Sequence, residues 1–388
     1  MREIAIVGVG QTPVGEHWDK GLRHLAVEAV LNALDDAHIK NAGALYVGNM
    51  LGGELAGQEH LGALVADYAG LTGIEAVKVE ASCGSAAAAL RQAVLAVASG
   101  EIDVAIAVGV EKLTELVSKC TTNYLAYAAD GDYEASAGLS FVAINALLMQ
   151  RYIWQYRVSK DEFGAFTVNA HANAVHNPNA MFRHPITREQ YARAKMIADP
   201  INLLDSSPIA DGAAAVVVAA ADQAREFSRK PLRIAACSLG MDTLALDNRA
   251  NPLWLKGVEL SARKAYRTAG IGPGDVDLFE LHDAFSIMAV LSLEASGFAE
   301  PGTALHLAHE GKITPQGELP ICTLGGLKGR GHPVGATGLY QVVEAAIQLR
   351  GEAPAAVQVE SARRAMAQNI GGSGATVITT ILETMEGR

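Results

Sequence analysis

The chain repeats itself weakly at half its length, and this duplication restricts the folds open to it. Both halves open with a strand pattern, residues 3–8 and 232–236, and continue with an amphipathic helix, residues 24–37 and 257–269. A second strand follows at 44–47 and at 276–281. A Gly-bearing turn then enters a long helix, Ser85–Ser99 and Thr337–Arg350, and each half closes on a strand, 213–219 and 375–382. Alternating strand and helix periods imply parallel sheets covered by helices. At 388 residues the chain is too long for one ordinary core. The expectation is an α/β protein of stacked layers with halves at 1–230 and 231–388. From Ala86 to Ala98 only Arg91 and Gln92 are polar. A helix apolar nearly all round is a buried one, so this helix is expected between two sheets.

Residues 112–205 have no counterpart in the second half. They contain a helix around 141–156, a second around 160–175, and a break at Asn177-Pro178-Asn179. This reads as an inserted lobe over the first half. From Arg151 to Lys195 it carries seven Lys or Arg against three Asp or Glu, so it is either a phosphate patch or a solvated face.

A formal net charge of −11 argues against nonspecific nucleic-acid binding, which needs a cationic surface. The four cysteines, Cys83, Cys120, Cys237 and Cys322, are scattered, which suits neither a disulfide framework nor a zinc site. No metal is expected. No apolar run is long enough to span a membrane. The N-terminus enters a strand at once, and Glu386-Gly387-Arg388 is not a peroxisomal address. The expected compartment is the cytoplasm.

Two residues about 250 positions apart carry the chemistry. Cys83 falls between a strand and the first turn of a helix, where orphan amides and the helix dipole favour a thiolate. Gly84 and Ser85 would leave room for an acyl group. Free cysteine is also commonly a small buried hydrophobe. His332 sits between Gly331 and Pro333 in a Gly-dense turn that matches neither the phosphate-loop nor the dinucleotide pattern. A histidine fixed there fits a general base. Two more turns join them. His282-Asp283-Ala284-Phe285 follows a strand at its carboxyl end, where α/β sites gather. Asn369-Ile370-Gly371-Gly372-Ser373-Gly374 precedes the last strand and offers amides to an oxyanion.

These four motifs, in this order and over nearly the whole length, resemble the thiolase family. They run Val79-Glu80-x-x-Cys83-Gly84-Ser85, His282-Asp283-Ala284-Phe285, Gly325-Gly326-Leu327-Lys328-x-x-Gly331-His332-Pro333 through Gly338, and Asn369-Ile370-Gly371-Gly372. The His-Asp-Ala-Phe form and the stretch 171–182 resemble the sterol-carrier-protein-type and archaeal branch.

The resemblance implies a duplicated α-β-α-β-α fold with a loop lobe, and an acyltransferase making or cleaving 3-ketoacyl-CoA. In that reading Cys83 takes the acyl group as a thioester. His332 deprotonates it, His282 shares an oxyanion site, and the N–H groups of Cys83 and Gly371 form a second one. Lys328, Arg330 and Arg183 are candidates for the phosphates of coenzyme A. No tightly bound cofactor is implied; CoA esters are substrates. A homodimer or homotetramer is implied, and in this branch a small zinc-bearing OB-fold (DUF35-type) subunit can complete the CoA site.

One departure stands out. The family's second, proton-moving cysteine would fall at Asn369 or Ala284, and neither is Cys. Either Cys322 substitutes, or His282 or His332 does both jobs. Two other functions remain open on sequence: a carbon–carbon lyase or acyltransferase with a bulkier acceptor, and a CoA- or lipid-binding subunit that needs its partner.

Overall fold

A computed structural model describes residues 2–385, so the C-terminal tripeptide read above lies outside them. The first half runs β1 (Ile4–Gln11), α1 (Leu22–Asp36), β2 (Ala44–Gly48), α2 (Leu61–Tyr68), β3 (Glu75–Val79), α3 (Ser85–Ser99) and β4 (Val104–Glu111). A lobe follows with α4 (Ser118–Leu125), α5 (Phe141–Tyr156) and α6 (Gly164–Ala174), and β5 (Gly212–Ala220) closes the half. The second half runs β6 (Leu232–Met241), α7 (Lys256–Ala269), β7 (Leu278–Glu280), α8 (Ser286–Ala295), α9 (Thr337–Arg350), β8 (Arg364–Gly371) and β9 (Thr376–Thr384).

The strands form one sheet in the order β3-β2-β4-β5-β1-β6-β9-β8-β7. Each half contributes a contiguous block, and the blocks join where Ala5 and Ile6 of β1 meet Arg233 and Leu232 of β6. The sheet is mixed, which corrects the expectation of parallel sheets. β2 runs parallel to β3 and β4, and β7 to β8, whereas β5 and β9 are antiparallel to all their neighbours. The reason is visible at β8–β9. Only the Gly372–Ala375 turn separates them, too short for the crossover that a parallel pair requires.

Helices α1 and α2 cover one face of the first block, and α7 with α8 covers the second. Between the blocks lie α3 and α9, in a core of Ala86–Leu90, Leu339, Tyr340, Val342 and Val343 together with β1, β4, β5 and β8. The layers are therefore α-β-α-β-α. The lobe spans both halves: Leu113, Leu125 and Ala128 pack on Met50, Leu51 and Leu55 of the first half as expected, whereas helices α5 and α6 turn to the second. Ala146, Leu148, Met149, Tyr152, Phe163 and Phe166 pack on Phe279, Met288, Leu291 and Ile370, which belong to the second half. The alternation of apolar residues in α5 and α6 revealed a buried face but not which half it buries against.

The central helices approach closely because the residues at their crossing are small. A Cβ on Gly338 would lie 2.7 Å from the backbone nitrogen of Ala87 and 2.4 Å from Oδ1 of Asn369. Helix propensity alone would favour Gly338→Ala by about 1 kcal/mol. Overpacking a filled core costs about 1–3 kcal/mol, and here the neighbour is backbone that cannot swing away. Gly338→Ala is therefore expected to lower stability in urea denaturation. A stabilised variant would contradict this packing.

Candidate active site

The nucleophile candidate stands where β3 hands over to α3. Residues Ser82–Gly84 form a single tight turn, with Ser82 in the left-handed region at φ 52°. The Ser85 hydroxyl holds that turn: it donates to Ser82 O at 2.6 Å and accepts from Ala81 N–H at 2.9 Å. Ser85 is fully buried, and Gly84 faces Ile378 and the Gly371 nitrogen. These two small residues shape the turn. Cys83 is half-buried and opens on a cavity of about 600 Å³ that His282, His332 and Gly372 also line. The fold thus brings residues from all four turns to one place.

His332 is held from two sides. Its Nδ1 lies 2.7 Å from Thr337 Oγ1 in the first turn of α9, and its backbone bridges to Ile209. His282 follows β7, and its Nδ1 lies 3.1 Å from Asn369 Nδ2 on β8. The two rings meet edge-on with centroids 5.2 Å apart.

The resting site is electrically neutral. Burial and the Glu111 carboxylate push the Cys83 thiol up to about 12, although the amides of Cys83 and Gly372 hydrogen-bond its sulfur and pull the other way. The helix start favours a thiolate, but enclosure wins. Burial lowers His282 to about 3, and burial with His282 and Arg330 nearby holds His332 well below its ordinary value. A neutral imidazole beside a protonated thiol is a base waiting for a proton, not a preformed ion pair.

Matches to two family models span the chain: "Thiolase, N-terminal domain" over residues 4–222 and "Thiolase C-terminal domain-like" over 238–384. The chain belongs to the thiolase family. An acetyl-CoA acetyltransferase of Methanothermobacter thermautotrophicus is 43% identical over 383 residues, 98% of this chain and 99% of that one. The benzoylsuccinyl-CoA thiolase subunit BbsB of Thauera aromatica is 32% identical over 96% of this chain and 95% of its own. Among solved structures, a "Ltp2-ChsH2(DUF35) aldolase" superposes with a TM-score of 0.86 at 25% identity, covering 98% of both chains. As a thiolase relative over nearly its whole length, the chain is an acyltransferase.

Several expected site residues stand apart from the thiolase cavity. Lys328 and Arg330 are 1% and 0% exposed. Lys328 Nζ donates to Asp205 O, and Arg330 pairs with Glu344 at 3.4 Å while stacking over Tyr340. Neither reaches a CoA phosphate; both hold the His332 loop from below. Arg183 and the other basic residues of the 151–195 stretch are exposed, and none lines the cavity.

Cys322 is 2% exposed, faces Leu281 O at 3.9 Å, and does not line the cavity. Burial and Asp283 raise its thiol well above the ordinary value; with no face on the cavity, it does not stand where the missing cysteine would act. Asn369 is likewise buried behind His282. The Gly372 amide lies against the Cys83 sulfur. Gly371 lets β8 approach the cysteine turn, since a Cβ there would meet Ala81 O at 2.4 Å. Among the described residues, no cluster of three or more His, Cys, Asp or Glu is arranged to hold a metal, and no helix is long and apolar enough to cross a membrane.

Glu111 was not anticipated. It ends β4, fully buried, and accepts from Asn49 Nδ2 and from the N–H groups of Met50, Leu51 and Gly335. It thereby ties the His332 loop to the first half. Its burial raises it to about 7. The signal was present: a lone carboxylate closing an apolar strand at the carboxyl end, where such sites gather.

The electrostatics are testable by alkylation of Cys83 with iodoacetamide, read by peptide mass spectrometry. The rate should keep climbing beyond about pH 9 without the plateau of a free thiol. Glu111→Gln removes the charge that raises the thiol, so it should accelerate alkylation at about pH 9. A plateau near the free-thiol value, unchanged in the variant, would contradict this picture.

Proposed function

We propose that this thiolase relative condenses two acyl-CoA molecules, or thiolytically cleaves a 3-ketoacyl-CoA such as acetoacetyl-CoA, through a thioester on Cys83. The observation that carries this reading is the convergence of Cys83, His282, His332 and the Gly372 amide on one cavity. In the first half-reaction the Cys83 proton passes to His332 as sulfur attacks the donor's carbonyl carbon. The bond to the CoA sulfur breaks, and CoA leaves with that proton. In the second, the freed His332 takes a proton from the acceptor's α-carbon, which attacks the Cys83 thioester carbonyl. A carbon–carbon bond forms, the bond to the Cys83 sulfur breaks, and that sulfur takes the proton back from His332 as a thiol. CoA esters enter only as substrates.

Incubation of the purified chain with acetyl-CoA alone should add one acetyl group, located on Cys83 by peptide mass spectrometry. Cys83→Ala should lose both the adduct and turnover. An acetylated or fully active variant would overturn the assignment.

Two observations favour a bulkier substrate and a partner as a second reading. The cavity wall is largely apolar, with Leu113, Leu125, Phe141, Val142, Phe285 and Met288. Among the described lining residues none is Lys or Arg. The Ltp2–ChsH2 structure pairs a similar chain with a DUF35 protein in its title. A zinc-bearing OB-fold subunit of that kind would supply phosphate contacts here. A second copy of the chain would pair along β3, an edge strand whose Val77 is 50% exposed. Cleavage of an aromatic 3-ketoacyl-CoA, with acetoacetyl-CoA untouched, would select the bulkier acceptor. Turnover by the chain alone at ordinary CoA-ester affinity would exclude a required partner.

A further inference from the structure

The cavity holds two neutral imidazoles, and what each can do depends on which nitrogen carries its proton. The surrounding bonds set this differently for the two rings. Thr337 Oγ1 has one hydrogen, and Pro333 O, 3.2 Å away, is an acceptor for it. With that hydrogen engaged there, the same oxygen accepts from His332 Nδ1, 2.7 Å away. The His332 proton sits on Nδ1, which leaves the lone pair on Nε2. At His282 the partner is the reverse kind. Asn369 Nδ2, 3.1 Å from Nδ1, can only donate, so Nδ1 accepts and the ring proton sits on Nε2.

The orientation of the Asn369 amide decides this, and Gly338 supports it. A Cβ on Gly338 would meet Asn369 Oδ1 at 2.4 Å, so a Cα–H of Gly338 points at that oxygen. A carbonyl oxygen is suited to such a contact, whereas an amide NH₂ turned to the same place would set hydrogen against hydrogen. Among the described residues the buried oxygen has no conventional hydrogen-bond donor.

We propose that Asn369 is a positioning residue that holds His282 as the Nε2–H tautomer, a hydrogen-bond donor to the substrate oxygen, and leaves His332 as the imidazole base of the site. The chain has Asn where the family places a second cysteine, and the substitution changes a proton carrier into a tautomer lock. His332 regains its lone pair when its proton leaves with CoA in the first half-reaction and when it returns to the Cys83 sulfur in the second, so one base serves both. The inference rests on the thiolase reading of the cavity for its consequence, but the tautomers themselves are measurable without turnover.

The test is ¹⁵N NMR of the wild-type protein carrying ring-labelled histidine, with His282→Asn and His332→Asn assigning the two signals. The expected spectrum has protonated Nε2 on His282 and protonated Nδ1 on His332. Protonated Nδ1 on both rings would overturn the proposal whether or not Cys83 is acylated.

Asn369→Asp gives the kinetic readout. A carboxylate at Nδ1 raises the His282 pKa and pulls the remaining proton onto Nδ1. At low pH the imidazolium still donates from Nε2; as pH rises through the new pKa that donor is lost. The variant should therefore gain a descending limb in kcat, about one decade per pH unit, that the wild type lacks. A purely structural role would lower activity equally at every pH, and a profile parallel to wild type would overturn the proposal.

Discussion

The crossing of the two central helices is the constraint on which the site depends. Helix α3 begins two residues after Cys83, and α9 begins five residues after His332. The short turns ahead of the two helices touch, so two residues about 250 positions apart meet only because α3 and α9 pack start to start. The Ala86–Ala87 and Gly338 contact sets how near those starts come. Two helix N-termini converging from opposite halves also direct partial positive charge at the place where an oxyanion would form. Duplication thus does more than enlarge the core: each half contributes one helix start and one reactive residue.

A layer of buried charge supports the site from behind. Asp283 accepts from Leu327 N–H at 2.7 Å, Glu280 from Thr323 N–H and hydroxyl, and Lys328 and Arg330 lie among Asp205, Asp283 and Glu344. Burial raises Asp283, Glu280 and Glu344 and lowers Lys328, so the cluster moves toward neutrality. Buried ionic groups add little net stability, but removing one member leaves its partner uncompensated. Their contribution here is geometric: they fix the backbone on both sides of His332. Cys83, His282 and His332 face the cavity as neutral groups, and this charged layer lies behind them.

How much of this was legible in the sequence depended on the range of the interaction. The helix 141–156 and the paired strands and helices of both halves follow from local periodicity, and the structure has them. The four reactive turns were found because each carries an unusual residue at a strand or helix end. What failed was non-local. Lys328 and Arg330 look like phosphate ligands in a Gly-rich turn, yet Glu344, Tyr340 and Asp205 from other segments enclose them. The lobe's apolar faces were visible but not their partner half. Antiparallel β9 followed from a missing crossover after β8. Glu111 and Thr337 went unnoticed because their roles exist only through what they touch, Gly335 and His332. Asn369 read as a lost cysteine when taken alone, and as a partner of His282 once the rings were placed.

The central claim is that His332, delivered by the second half, is the base for Cys83 in the first. Rapid-quench measurement of Cys83 acetylation in His332→Ala tests it most directly. With the thiol held up to about 12, the variant should acetylate slower than wild type by about 10²–10⁴-fold near neutrality, and the deficit should shrink as rising pH ionises the thiol unaided. Acetylation at the wild-type rate across that range would contradict the account.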